Sequence, residues 1–300
     1  MLKFISTIVT VLIIVFCLLL AIYYLKLFKQ ADTIFKKFLN SLGIVTFLAL
    51  TVMLVSLRGI DISYNQDFIE LFSLDHIFFI YLIVLLFTTI FTYKRELRAD
   101  RDVIYRFLFV CSVVQQICLY GWYYLATDFD ITQALPMEIS RITTLLNSIY
   151  LATKKEKILD VNFYFSIFAL GSFAIPTGIN DLAHVLGWSF FINHAITLSL
   201  PFIAYYLRDF RPKKRYIYIA YAYFGIYIAL ALLTNEFTGG NYFFIEERVL
   251  GILEPIPKGI YIFLVFALVY AVFNLIYTGF TAFIRKSEAN LAKKLEAKEA

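Results

Sequence analysis

The chain has 300 residues, of which 61% are hydrophobic and only 16% charged, and its mean hydropathy of +0.77 excludes an ordinary soluble domain. The net charge of +5 comes from basic residues scattered over several loops with no compact basic patch, which excludes a nucleic-acid-binding surface. Apolar runs of membrane-spanning length recur throughout, and the alternating strands of about 10 residues that a β-barrel needs are missing.

The pattern predicts an all-α polytopic membrane protein with nine spans, at about 4–25, 38–57, 76–93, 103–126, 134–153, 159–176, 187–207, 216–233 and 259–284. The first run continues to about Leu27 without a small-residue cleavage site, so it reads as a retained helix and not a signal peptide. The loops after spans one, three, five, seven and nine hold 21 of the 27 basic residues. The positive-inside rule then puts the N-terminus outside a cell membrane and the C-terminus in the cytoplasm. The opposite loops, 59–75 and 234–258, are acidic. Residues 285–300, rich in Ala, Lys and Glu, read as a charged cytoplasmic helix extension. Cys17, Cys111 and Cys118 all fall inside apolar spans, where thiols act as small hydrophobes. No motif calls for a cofactor, a metal or a soluble protein partner; Asn180, Asp181 and His184 in one loop are too few to define a cation site.

Span five is the unusual one. It crosses the bilayer while carrying Glu138, Ser140, Arg141, Thr143, Thr144, Asn147 and Ser148. At about 100° per residue all of these except Glu138 share one side of the helix, opposite Ile139, Ile142, Leu145, Leu146 and Ile149. Polar and ionisable groups at membrane depth face a bundle interior or a wet cavity and mark functional sites. Pro136 suits a first helical turn, which places Ser140 about 9 Å into its span and His194 about 10 Å into span seven from the same side. Matched depth is a geometric condition for a nucleophile and its base. Glu138 and Arg141, spaced i and i+3, form either a structural ion pair or a pair that orients His194 and holds a lipid phosphate. Gln115 and Gln116 lie mid-span, so one of them faces the interior. His76 stands at the mouth of span three. Asn241 and Tyr242, after Gly239-Gly240, make either a lid or a simple turn.

In chain order, several short motifs resemble those of the YwaF-type integral membrane family, which has vertebrate members. They are Leu71-Phe72-Ser73-Leu74-Asp75-His76, Val114-Gln115-Gln116-Ile117 with Trp122, Leu135-Pro136-Met137-Glu138-Ile139-Ser140, the stretch from Phe163 to Pro176, Phe190-Phe191-Ile192-Asn193-His194, Gly239-Gly240-Asn241-Tyr242-Phe243-Phe244, and Pro255-Ile256-Pro257. The resemblance implies a seven-helix core over 71–284, with residues 1–58 an added N-terminal two-helix hairpin. It also implies acyl transfer between phospholipids, with a motif Cys as acyl carrier and the His at position 194 as base. Here Ser140 stands where that family has Cys, Glu138 where it has His, and Asn193 where it has Ser. Ser140 and His194 are accordingly the expected catalytic pair, with His76, Gln116, Glu138, Arg141, Asn193, Asn241 and Tyr242 binding or orienting a lipid. Two other readings stay open: a non-catalytic lipid-binding or assembly protein that has lost the Cys, and a small transporter.

Overall fold

The computed structural model describes residues 2–33, 36–37, 40–41, 43–44, 47, 51, 68–181 and 184–299. Span two and the loop 59–67 therefore lie essentially outside the described residues. The helices are α1 (Leu2–Gln30), α2 (Leu74–Thr92), α3 (Lys94–Ala99), α4 (Arg101–Ala126), α5 (Ile139–Thr153), α6 (Glu156–Phe165), α7 (Ile167–Ala174), α8 (Val185–Arg208), α9 (Arg215–Thr238) and α10 (Lys258–Glu299). Among the described residues there is no β-strand beyond one isolated bridge, Phe68 with Asn180. Among the described residues, five helical segments are long and apolar enough to cross a membrane: Leu74–Thr92, Arg101–Ala126, Val185–Arg208, Arg215–Thr238 and Lys258–Lys293.

The chain divides into two compact units. The first comprises Met1–Asp130 and Ile175–Asn193, and the second Ile131–Ala174 and His194–Ala300. In the first, Phe79 of α2 packs against Trp188, Phe190 and Phe191, stacking on Phe191 at 5.0 Å between ring centroids. The three cysteines are buried in this unit.

In the second unit, two predicted spans depart from single straight helices. Span five begins at Ile139 and not at Ala134: residues 134–138 are turns, and α5 has 15 residues, about 22 Å of rise against a hydrocarbon core of about 30 Å. Pro136 therefore belongs to the entering loop and not to the first turn. Span six breaks at Ser166 between α6 and α7. The Ser166 hydroxyl donates to the Phe163 carbonyl at 2.7 Å, a local bond that competes with the helical ladder and bends it. Beyond the break, Phe168 and Phe224 stack at 5.7 Å and Phe273 packs on Tyr164 and Phe165, so aromatic rings fill the space between α6, α7, α9 and α10. The last helix runs unbroken for 42 residues, carrying residues 285–299 as an extension of span nine.

Candidate functional site

Asn147 of α5 donates to the Thr197 hydroxyl of α8 at 2.8 Å and accepts from the Asn162 amide of α6 at 2.6 Å. All three residues are buried. The Asn162 amide also donates to the Thr143 carbonyl at 3.4 Å, while its own Oδ1 is buried with no protein partner. A polar knot of this kind inside an apolar bundle joins three helices, because its groups have few alternative partners there.

The knot fixes a register. Thr144 precedes Asn147 by three residues and His194 precedes Thr197 by three, so Thr144 and His194 are level, both about 4.5 Å from the bond along their axes. His194 is 5% exposed and packs edge-on against Phe173 at 6.0 Å. Ser140 precedes Asn147 by seven residues and lies about 6 Å nearer the loop end than His194. The equal depth expected from the sequence requires a helix starting at Ala134; starting at Ile139 raises Ser140 by about 7.5 Å, nearly one and a half turns. Helical side chains lean toward the N-terminus, and a long imidazole gains more height than a short hydroxyl, which narrows the gap. The Ser140 carbonyl accepts both the Thr143 and Thr144 hydroxyls at 2.8 Å, so a hydroxyl-rich turn separates the two levels.

At the loop end, Arg141 is 8% exposed, and its Nη1 donates to the carbonyls of Gln133 at 2.5 Å and Leu135 at 2.7 Å. The guanidinium thus clamps the loop that enters α5. Glu138 is the N-cap residue of α5 but makes no side-chain cap; its carboxylate faces Arg141 and accepts from the Phe243 backbone N–H. Tyr227 stands beside it and donates to the Met137 carbonyl at 3.0 Å. Tyr242 is buried, donating to Ile131 at 2.7 Å and accepting from the Leu135 N–H at 3.0 Å. Asn235 holds the Tyr242 backbone at both ends, at 2.8 and 3.1 Å. Gly240 is required here, since a Cβ would come within 2.5 Å of the Thr132 carbonyl. Phe243 and Phe244 both adopt left-handed backbone, at φ 60° and 52°, a costly conformation for aromatic residues that surrounding contacts must hold. Asn241 builds the next turn, its Oδ1 accepting from Glu246 and Glu247.

The second unit therefore holds Glu138, Ser140, Arg141, His194, Asn241 and Tyr242. His76, Gln116 and Asn193 belong to the first. His76 is buried, and its Nδ1 accepts from the Phe72 N–H at 3.0 Å while Ser73 caps α2. Gln115 is the more buried glutamine and bonds Ser189; Gln116 donates to Gln115 at 2.6 Å. Asn193 is buried. His184 packs on Trp122 at 5.2 Å, and its Nδ1 accepts from Leu186 at 3.1 Å. Burial holds its imidazole below the ordinary value. Among the described residues no group of three or more His, Cys, Asp or Glu is placed to hold a metal ion.

Asn162, Thr197 and Tyr227 are not singled out in the sequence, and Phe243 stands there only as part of the 239–244 motif. Asn162 alone left a signal there, as a polar residue in the apolar run Val161 to Phe165.

No curated protein and no solved structure matches the chain. Residues 71–278 match the model of the TMEM164 family. That match falls on the stretch whose motifs resemble the YwaF-type family. With more than half of its length matched and several apolar helices of spanning length, the chain is a multi-pass membrane protein and belongs to the TMEM164 family.

Proposed function

We propose that this protein is a membrane-embedded enzyme that transfers or hydrolyses the acyl group of a lipid ester. Its site lies at the loop end of the second unit, toward the outer leaflet. The supporting observation is His194, an ionisable ring buried in an apolar bundle at the level of Thr144 and about one turn below Ser140. In this scheme His194 takes the proton from the Ser140 hydroxyl, Ser140 attacks the ester carbonyl, and an acyl-serine forms as the lipid alcohol leaves. A second lipid alcohol or water then receives the acyl group. First-turn N–H groups of α5 stand beside the carbonyl oxygen that becomes negative. Arg141 positions the 131–138 loop, its Nη1 donating to two carbonyls. Asn241 and Tyr242 hold the strap that covers this end. His76, Gln116 and Asn193 bind or orient lipid within the first unit.

The nine-span topology, with an outside N-terminus, a hairpin at 1–58, a seven-helix core at 71–284 and a tail at 285–300, belongs to the same proposal. It is supported by the charge alternation of the loops and by the family match over 71–278. The test is turnover of a fluorescent phospholipid by purified protein, following fatty acid release and acyl transfer. Ser140→Ala and His194→Ala should each reduce it by roughly 10²–10⁴-fold. Full turnover in both variants would overturn the proposal.

One observation favours a second reading, a non-catalytic lipid-binding protein. Arg141, Asn241 and Tyr242 all direct hydrogen bonds to their own backbone surroundings. That reading predicts lipid retention without turnover.

A further inference from the structure

At the other end of the second unit, the loops 153–157 and 208–215 carry eight basic and two acidic residues. Lys213 laces them together: its Nζ lies 2.9 Å from Asp160 and 3.9 Å from Glu156, and its carbonyl accepts from Tyr164 at 3.0 Å. Asp160 is fully buried, so Lys213 is committed to that carboxylate. Arg211 is paired with Glu288. Lys214 and Arg215 are left exposed at the start of α9, where Arg215 lies over the buried Tyr216 ring at 5.2 Å, with Lys213 at 5.7 Å.

From this cation pair an exposed apolar stripe runs down α9: Ile219, Tyr223, Ile226, Leu230, Leu233 and Phe237. The spacing alternates four and three, which keeps all six on one face. It extends about 27 Å, close to the thickness of a bilayer core. Two occupants suit such a stripe, an acyl chain or the same stripe of a second copy. Copies in one membrane share orientation, so a paired α9 seam would bring Lys214 and Arg215 against their equals. Like charges meeting at the head of a seam oppose that pairing. A phospholipid with a net negative headgroup satisfies both parts, its phosphate at the cations and one chain along Ile219–Ile226.

We infer that the head of α9 is a binding site for an anionic phospholipid, distinct from the proposed reaction site, with Lys214 and Arg215 as headgroup ligands and the Ile219–Ile226 face as the chain contact. Native mass spectrometry of the full-length protein in mild detergent, given phosphatidylglycerol or phosphatidylcholine at equal dose, tests it. The expected result is preferential retention of phosphatidylglycerol, reduced roughly tenfold or more in Lys214→Gln/Arg215→Gln. Arg215→Lys and the charge-matched control Arg285→Gln/Lys286→Gln should retain it. Inorganic phosphate at millimolar concentration should not displace it. Equal loss in the Arg285/Lys286 control would replace the site with a diffuse surface potential, and displacement by inorganic phosphate would make it a soluble-anion site. Undiminished retention in Lys214→Gln/Arg215→Gln, checked for an unchanged thermal transition, would overturn it. If that variant does not fold, Ile226→Lys, which puts a charge on the chain face only, must lower retention by itself. A dimer mass in place of bound lipid would assign the stripe to a second copy.

Discussion

Asn147 donates to Thr197 at 2.8 Å inside the second unit, and this bond sets the register between the helix that carries Ser140 and the helix that carries His194. It is reinforced from α6 by Asn162. A double-mutant cycle with Asn147→Ala and Thr197→Val, followed by unfolding in bicelles, should show a coupling of about 1 kcal/mol, within the range of interhelical bonds in membranes. Asn147→Ala alone should cost about 1–3 kcal/mol, since it takes from the buried Asn162 amide its short acceptor and leaves only the 3.4 Å bond to the Thr143 carbonyl. Strict additivity would remove the bond from the account.

Arg141 separates structure from chemistry. If its guanidinium clamps the Gln133 and Leu135 carbonyls, Arg141→Ala should destabilise by about 1–3 kcal/mol and speed hydrogen exchange across residues 131–138. Lipid turnover should fall in proportion to the folded fraction. A loss of turnover at unchanged stability and exchange would give Arg141 a direct hold on substrate.

Tyr242→Phe keeps the ring and removes the hydroxyl that bridges Ile131 and Leu135. Two backbone groups then lose their partner. Exchange protection should drop in both 131–138 and 241–248, with a stability cost of about 1–3 kcal/mol. Protection lost in one segment alone would show that the strap and the entering loop are not coupled through this residue.

The Lys213–Asp160 pair makes a prediction about pH. The hydrogen bond to Asp160 raises the Lys213 ammonium above its ordinary value of 10.5. A raised folded-state value means the stabilisation is complete below 10.5 and is lost as pH rises through the folded value. Stability should therefore be flat from this source between about pH 6 and 9 and decline only in strong alkali. Lys213→Met should lower stability throughout that range, because it leaves Asp160 buried without its partner, and should remove the alkaline component of the decline. A Lys213-dependent transition near neutral pH would contradict this.

Much of the helical plan is legible in the sequence because it rests on runs of apolar residues and on loop charge, both one-dimensional signals. The charged extension past 284 follows from its Ala, Lys and Glu content, and the helices 74–92, 101–126, 185–208 and 215–238, with the start of 258–299, fall where hydropathy puts them. The start of α5 does not. Pro136 reads equally as a first-turn residue or as part of an entering loop, and the choice is made by Arg141 pulling the Gln133 and Leu135 carbonyls into its own clamp, a contact between residues six and eight apart. The break at Ser166 coincides with a hydroxyl bond to the Phe163 carbonyl, which a single serine in an apolar run does not announce. The polar face of α5 was readable, Asn147 included, while its partners Asn162 and Thr197 come from other helices and leave no mark in span five. Phe243 is hidden for another reason: nothing in an aromatic residue announces left-handed backbone, and the Glu138 carboxylate that accepts from its N–H lies about a hundred residues away.

The most direct measurement is the identity of a covalent acyl or phosphonyl adduct. Purified protein in lipid nanodiscs would be treated with a lipid fluorophosphonate, digested, and mapped by mass spectrometry. Label is expected on Ser140, abolished in Ser140→Ala and reduced roughly 10²-fold or more in His194→Ala. Label on another residue, or equal labelling of Ser140 with and without His194, would contradict this.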